Sequence, residues 1–484
     1  MKKNILLYYF LICILLISGI SCSRNFEEIN TNPNTSEKAL PETMLAPALN
    51  ETIVRNMFVA KDITHELMQV TVNTQTEIDR IFRYDIRRPV VETPWRDWYV
   101  QLTNFKEIYQ FAEETAQPSY MAISLICQSW VYSLITDTYG DVPYSESNQA
   151  KEGNFMPVFD RQKDIYLDIF DKLEQANELF KLVAARNVSP NSDPVYGGDV
   201  TRWRKFGNSL YLRLLLRASG NPEVSADVIA RIQEIVETNA NNYPVFTSNA
   251  ESAVFRWTGT APYVSPFATF TNAEWGRPKA CSFFVDHLDQ SFDPCISRWL
   301  TMVQGMYLGI PSAYPMGTTP ETQSLMADGL KSNPLTGNMM NYSELQFILA
   351  EAALKGWINT ESPQSYYERA VTARVTLWGA TMGDFLSGAM VKWNDELTET
   401  QKLEHILHQK YFALFYTDVQ SWCEYRRTGY PVLPKGPSLV NDGVMPTRLY
   451  YPLTVQAANL ANYNKAVAIQ GPDNLKTQLW WQKR

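Results

Sequence analysis

The stretch Tyr342-Ser-Glu-Leu-Gln-Phe-Ile-Leu-Ala-Glu-Ala-Ala-Leu-Lys-Gly356 decides the fold, together with the segment at residues 363–379 that follows it. Apolar residues recur at helical spacing in both segments, and the polar residues 359–362 separate them. Ala350 in the first segment and Ala370 in the second are small enough to let two helices approach closely. The sequence therefore predicts one antiparallel helix hairpin at residues 342–379.

The same periodicity recurs along the chain. In residues 119–139, for example, Ile123, Cys127, Trp130 and Leu134 share one apolar face. No heptad pattern is sustained, which argues against a coiled coil, and no strict 34-residue repeat is present. We expect a mainly α fold built from tetratricopeptide-like helix hairpins. The further predicted helices cover residues 43–70, 104–115, 119–139, 159–180, 200–219 and 400–415.

Residues 243–340 differ from the rest, because they hold 9 Pro and 7 Gly and no long periodic segment. Such loops often carry binding residues. We expect a signal peptide at 1–21, a lipidated tether at 22–42 and a single domain at 43–484. Within that domain the helical scaffold covers about 43–242 and 341–430, and the loop-rich, ligand-facing part covers about 243–340 and 431–484.

The first residues predict export. Lys2 and Lys3 precede an apolar run at 5–17, and small residues then lead to Cys22. This is the pattern of a secretory signal peptide, and a cysteine at that place is typical of a bacterial lipoprotein. A transmembrane anchor is the alternative, but the run is shorter than the ~18 apolar residues that span a bilayer. We expect Cys22 to carry a lipid that holds the protein to a membrane.

Charge and cysteine usage narrow the function. The formal net charge of −8 argues against a nucleic-acid partner. Cys127, Cys281, Cys295 and Cys423 remain after Cys22, and none forms a CxxC pair. A disulfide between Cys281 and Cys295 is one possibility; four separate buried thiols are the other.

Signals for catalysis are few. The chain has no glycine-rich phosphate loop, no GxSxG and no HExxH. His405 and His408 could face one metal, but their helix also fits a structural role. Asp137 and Asp141 could form an acid–base pair or bind calcium, or they could cap a helix end at Gly140. We expect no enzyme, no metal and no cofactor.

Binding is the better interpretation. Sugar rings stack on flat aromatic side chains, while amides, carboxylates and arginines satisfy their hydroxyl groups. Two predicted loops have this mixture, at residues 73–99, which include Trp95 and Trp98, and at 243–340. The alternative is that these rings pack in the core. We expect residues 73–84 and 257–275 to form one shallow ligand surface. The candidate ligand residues are Asn73, Gln75, Arg80, Phe82, Tyr84, Trp257, Tyr263 and Trp275.

Several segments, in chain order, resemble those of the SusD/RagB family of outer-membrane lipoproteins. The most specific is Asp137-Thr-Tyr-Gly-Asp-Val-Pro-Tyr144, which resembles the D-x-x-G-D-[IV]-P-[YF] segment of that family. The other similar segments are Asn25-Phe-Glu-Glu-Ile-Asn-Thr-Asn-Pro-Asn34, Gly197-Gly-Asp-Val-Thr-Arg-Trp-Arg-Lys-Phe206, residues 342–352, Tyr425-Arg-Arg-Thr-Gly-Tyr-Pro431 and residues 463–473.

The resemblance implies a helical fold with tetratricopeptide-like hairpins and a lipid-anchored position on the surface of a Bacteroidetes-type outer membrane. It implies a partner, a SusC-like TonB-dependent transporter, and a ligand that is a glycan or a peptide. The family has no fixed ligand motif, so it assigns no ligand residue, and the segment at 137–144 is expected to be structural. The alternatives are a glycan hydrolase and a structural lid with negligible affinity of its own.

Overall fold

The hairpin predicted at residues 342–379 is present in the computed structural model, which describes residues 40–74, 80–182, 188–318 and 320–484. Its helices are Tyr342–Leu354 and Pro363–Leu377. The hydroxyl of Ser343 donates to the carbonyl of Ala370 at 2.7 Å, and Arg369 donates to the side chain of Gln346 at 3.1 Å. From Ser343 to Gln346 the first helix runs forward, while its contacts on the second helix run backward from Ala370 to Arg369. The pair is therefore antiparallel.

The fold is mainly α, as the sequence predicts. The first group of helices is α1 (Pro41–Val59), α2 (His65–Leu67), α3 (Arg88–Glu114), α4 (Pro118–Tyr139), α5 (Gln162–Leu182), α6 (Val200–Ala218), α7 (Ser225–Gln233) and α8 (Asn272–Trp275). The second group is α9 (Ser282–Gln290), α10 (Ile296–Trp299), α11 (Tyr342–Leu354), α12 (Pro363–Leu377), α13 (Glu399–Ala413), α14 (Gln420–Thr428), α15 (Leu453–Ala458) and α16 (Leu460–Gln470). A π-helical turn, Ala60–Thr64, connects α1 to α2.

Strands are short and join distant parts of the chain. Among the described residues they form three antiparallel pairs. Their bounds are β1 (Thr71–Asn73) with β5 (Pro278–Ala280), β2 (Val142–Pro143) with β3 (Phe159–Asp160), and β4 (Ala253–Val254) with β6 (Asn338–Met340). Residues 41–484 make one compact unit. Across the described part of the chain, no helix is long and apolar enough to cross a membrane.

The expected loop at residues 73–99 is wrong for its second half, because α3 begins at Arg88. Pro89 lies in the first turn, where a missing N–H costs no hydrogen bond, although Pro94 lies inside the helix. Trp98 is fully buried, and its indole N–H donates to Asn56 at 2.8 Å. Trp95 is also buried, so these two rings belong to the scaffold rather than to a loop.

The segment at residues 137–144 builds the core. Asp137 is buried and accepts hydrogen bonds from Tyr166 at 2.6 Å, Arg217 at 2.5 Å and the indole of Trp481 at 2.9 Å. Gly140 ends α4 with φ of 91°, a backbone conformation that favours glycine. Both carboxylates therefore serve local structure, since Asp141 accepts from the backbone N–H of Gln162 at 2.9 Å.

The structure also shows the surroundings of the cysteines and of His405. Cys127, Cys281, Cys295 and Cys423 are buried free thiols, so Cys281 and Cys295 do not pair. The side chain of His405 lies 2.8 Å from the hydroxyl of Tyr367. In the residues that the structure describes, no group of three or more His, Cys, Asp or Glu side chains is placed to hold a metal. Cys22 lies outside the described residues.

Candidate ligand-binding cleft

The two segments predicted to form a ligand surface meet in the structure. Strand β1 pairs with β5, and Asn73 lies opposite Pro278 in this ladder. The pairing brings the start of the 73–84 segment beside the chain that follows Trp275. Two stretches about 200 residues apart in sequence are thereby held together by backbone hydrogen bonds.

A cleft of about 440 Å³ lies beside this ladder. It is named here the α1/α8 cleft, because residues of α1 and of the chain around α8 line it. The residues that line it include Arg55, Phe58, Lys61, Asp62, Glu66, Asn73, Ile81, Thr93, Phe270, Glu274 and Arg277.

Two half-buried aromatic rings, Phe58 and Phe270, contribute to the apolar lining of the α1/α8 cleft. The ring centroids of Phe58 and Phe270 are 6.2 Å apart, and Phe267 packs behind Phe58 at 5.5 Å. The ammonium of Lys61 lies 5.7 Å from the Phe270 centroid, and the guanidinium of Arg55 lies 5.9 Å from the Phe58 centroid. Flat apolar faces beside cations and an amide are what a sugar ring requires.

The charged side chains of the cleft are held by neighbours. Arg55 pairs with Asp97 at 2.5 Å, and Lys61 pairs with Asp62 at 2.6 Å. Glu274 completes a capping box with Thr271 at the start of α8. The hydrogen bonds from Thr271 lower the pKa of Glu274. This carboxylate is therefore set up to stay ionised and to cap a helix.

The π-helical turn Ala60–Thr64 forms part of the wall, since Lys61 and Asp62 line the cleft. Such turns are frequent at functional sites. His65 follows the turn and is buried, stacked on Phe415 with centroids 5.1 Å apart. Burial, and to a lesser extent Lys61, lower the pKa of His65 to about 3. The residue is therefore neutral behind the cleft wall at physiological pH.

The structure distributes the predicted residues of the first segment between the cleft and the core. Asn73 lines the α1/α8 cleft. Phe82 and Tyr84 are buried, and the Phe82 ring stacks on Tyr314 with centroids 5.9 Å apart. Arg80 is half-buried, and its backbone bridges to Asp85. Gln75 lies outside the described residues.

The predicted residues of the second segment lie behind or beside the cleft. Trp275 is 2% exposed, and its indole N–H donates to the carbonyl of Met326 at 3.0 Å. Trp257 is 9% exposed and packs on Phe255 with centroids 4.6 Å apart, while Tyr263 is half-buried against the same ring. These three rings do not line the cleft, so direct contact with a ligand would require them to be uncovered.

Sequence reasoning missed the contribution of α1. Arg55 and Phe58 are three positions apart, and Asp62 is four further on, so they follow one helical face. This mixed polar and aromatic stripe within an otherwise apolar helix was the available signal. Arg277 was missed because it sits in a short connection between α8 and β5.

Comparison with known proteins identifies a matching family and several solved structures with the same fold. The profile of the SusD-like family, described as starch-binding and associating with the outer membrane, matches residues 33–452. A SusD homologue of Bacteroides fragilis is similar in structure, with a TM-score of 0.79 and 23% identity over 92% of this chain and 100% of that one. A SusD homologue of Bacteroides uniformis has a TM-score of 0.79 and 22% identity over 92% and 99%.

A chitin-binding SusD homologue from Flavobacterium johnsoniae has a TM-score of 0.80 and 20% identity, over 91% of this chain and 98% of that one. No curated protein matches the sequence. At these identities the solved structures establish a shared fold.

Proposed function

Because the chain belongs to the SusD-like family of starch-binding proteins that associate with the outer membrane, we propose that it is a surface lipoprotein that captures glycans. In this proposal it delivers them to a SusC-like TonB-dependent transporter and performs no catalysis. The ligand is bound in the α1/α8 cleft, and a lipid on Cys22 holds the protein at the membrane. A peptide ligand is the alternative within the same role.

One observation carries the proposed glycan site: the half-buried rings of Phe58 and Phe270 stand beside Lys61, Asn73 and Arg277 in one cleft. Each ring offers an apolar face, and the polar groups can bond the hydroxyls at its edge. Stacking on one ring is worth about 0.5–1.5 kcal/mol beyond burial of its area. Both rings and several polar groups must therefore act together to bind a sugar at useful affinity.

The carboxylates of the cleft favour binding over hydrolysis. A glycosidase needs one carboxyl group with a raised pKa that donates a proton to the leaving group. Glu274 has a lowered pKa because Thr271 donates to it, and Asp62 is paired with Lys61. Glu66 accepts the backbone N–H of Phe82 at 3.1 Å. These contacts suit residues that shape the cleft.

Calorimetry of the purified protein against maltooligosaccharides, chitooligosaccharides and short peptides tests the ligand. We expect one glycan class to bind and Phe270→Ala to weaken its binding about tenfold, the loss of roughly 1.4 kcal/mol. Phe292→Ala is the matched control, since Phe292 is 87% exposed and does not line the cleft. Binding of peptides alone would redirect the proposal, and binding of nothing would favour a structural lid.

The anchor and the transporter are tested separately. Cys22→Ala should abolish labelling by a fatty-acid probe and release the protein from the outer membrane. Affinity purification of the wild-type protein from its membrane should recover a TonB-dependent transporter. A labelled Cys22→Ala protein at the surface would contradict the lipid anchor, and recovery of no transporter would contradict the delivery role.

A further inference from the structure

A second and larger cleft, of about 1130 Å³, lies on the opposite face of α3. It is named here the α3/α15 cleft, because α3, α15 and residues 147–152 line it. Tyr99 and Thr103 of α3 face this cleft, whereas Thr93 and Pro94 of the same helix face the α1/α8 cleft. The two clefts are therefore separate sites with a common wall.

The ammonium of Lys106, in the wall of the α3/α15 cleft, is held by hydrogen bonds to neutral groups. It donates to the carbonyl of Ser147 at 2.9 Å and to the Ser147 hydroxyl at 3.0 Å, and it lies 5.6 Å from the centroid of the buried Tyr132 ring. None of the carboxylates in the described ranges forms an ion pair with it. Burial, followed by the nearby Lys172, lowers the pKa of Lys106 to about 8, although Asp160 and Glu152 act in the opposite direction.

The other cations of this cleft are neutralised. Lys151 pairs with Glu107 at 2.5 Å, and Arg96 pairs with Asp97 at 2.8 Å. Lys106 is protonated at neutral pH, and an ammonium has three donors, of which Ser147 accepts two. A partly desolvated cation is stabilised by an anion that can reach its remaining donor.

The residues around Lys106 indicate what kind of ligand could carry such an anion. Val100 is 51% exposed at the cleft, and Val455 and Ala458 of α15 also line it. Tyr99 and Asn148 add a ring and an amide to the same wall. Glu92, Glu107 and Glu152 also line the cleft and would repel further negative charge. A ligand that uses this wall and reaches Lys106 therefore needs an apolar face and no more than one carboxylate.

We propose that the α3/α15 cleft is a second binding site, for a ligand that carries one carboxylate, and that Lys106 binds this carboxylate. The carboxylate could come from a uronic acid residue of a glycan or from the C-terminus of a peptide. This site goes beyond the proposed glycan cleft and does not depend on it, because no residue named at Lys106 lines the α1/α8 cleft.

Calorimetry with the purified protein tests the site. The probes are galacturonate and its neutral methyl ester, and a tripeptide with a free or an amidated C-terminus. We expect one acid to bind and its neutral partner to fail. Lys106→Met should weaken the acid about tenfold, as expected for one charge-assisted hydrogen bond. Lys476→Met, at an exposed lysine that does not line this cleft, should leave the affinity unchanged.

A second measurement covers the case in which Lys106→Met does not fold. The bound acid should protect Lys106 of the wild-type protein from acetylation, while the exposed Lys476, outside the cleft, reacts as before. Mass spectrometry measures the acetylation of both lysines. Binding of neither acid, equal binding of the neutral partners, or no protection of Lys106 would overturn the proposal. Failure of the glycan proposal is seen separately, with neutral glycans and Phe270→Ala.

Discussion

Trp481 donates its indole N–H to the carboxylate of Asp137 at 2.9 Å, although the two residues are 344 positions apart in the sequence. Both side chains are 1% exposed. The same carboxylate accepts from Tyr166 and Arg217, so three elements converge on one buried anion. The bond fixes the last described segment onto the end of α4.

Trp481→Phe removes this donor, and we expect it to lower the free energy of unfolding by about 1–3 kcal/mol, because a buried acceptor loses a partner. Trp130→Phe is the matched control, since Trp130 is also fully buried and its indole N–H has no hydrogen-bond partner among the described residues. Urea unfolding followed by circular dichroism measures both. Equal losses for the two variants would show that the bond to Asp137 contributes nothing.

Asp293→Ala tests the link between the loop-rich part and the helical hairpin. Arg374 of α12 makes two hydrogen bonds to Asp293, at 3.1 and 2.7 Å, and both side chains are 1% exposed. Removing the carboxylate leaves a buried guanidinium unpaired, so we expect a loss of about 3–5 kcal/mol.

The exposed pair Arg161–Asp164 provides the control for Asp293→Ala. Exposed ion pairs contribute little, so Asp164→Ala should cost less than about 1 kcal/mol in urea unfolding. A loss of that same size for Asp293→Ala would mean that the buried pair does not fix the loop-rich part.

His65 should make stability depend on pH. Its folded pKa, about 3, is below the ordinary value of 6.5. Below pH 6.5 the unfolded chain therefore takes up a proton that the folded chain excludes. The free energy of unfolding then decreases as the pH is lowered from 6.5 to about 3. His65→Phe removes the titratable imidazole but keeps an aromatic ring packed against Phe415. Between pH 7 and pH 5 the wild type should lose about 2 kcal/mol more than the variant.

The comparison is made by urea unfolding at several pH values. Above pH 7 the free energies of unfolding of the wild type and His65→Phe should run parallel, since His65 is neutral in both states there. Parallel curves down to pH 5 would contradict a neutral, buried His65.

Trp275 and Phe270 should separate stability from binding. Trp275 is 2% exposed and bonded to Met326, so Trp275→Ala should cost about 3–5 kcal/mol through the cavity it leaves. Phe270→Ala removes a half-buried ring of the α1/α8 cleft, so its main effect should be on glycan affinity. Thermal unfolding and calorimetry on both variants measure this. A stable Trp275→Ala protein with lost affinity would place that ring at the ligand instead.

The helices were predictable from the sequence where periodicity and small residues coincide, as in α4, α11 and α12. The first half of α3 was not, because Pro89 and Pro94 indicate a loop unless the buried partners of Trp98 are known. One surface from the 73–84 and 257–275 segments was predicted because both lack amphipathic periodicity and place aromatic side chains beside amides or arginines. Residues of both segments line the α1/α8 cleft.

Which rings face the cleft could not be predicted in this way. Phe82 and Trp275, like Phe270, lie in stretches predicted from sequence to be loops. Their burial follows from contacts with Tyr314 and Met326, which lie far along the chain. Burial of a ring on a loop depends on long-range packing, which a single sequence does not encode in any local pattern.

The β1–β5 ladder has a thermodynamic consequence for capture. Strands β1 and β5 are already hydrogen-bonded to each other, with Asn73 opposite Pro278, before a ligand arrives. The capping box of Thr271 and Glu274 likewise holds the start of α8. A ligand that enters the α1/α8 cleft therefore orders little new backbone, and most of the entropy of building the site was lost when the chain folded. Weak contacts to single sugars can then add up to capture without a large ordering cost.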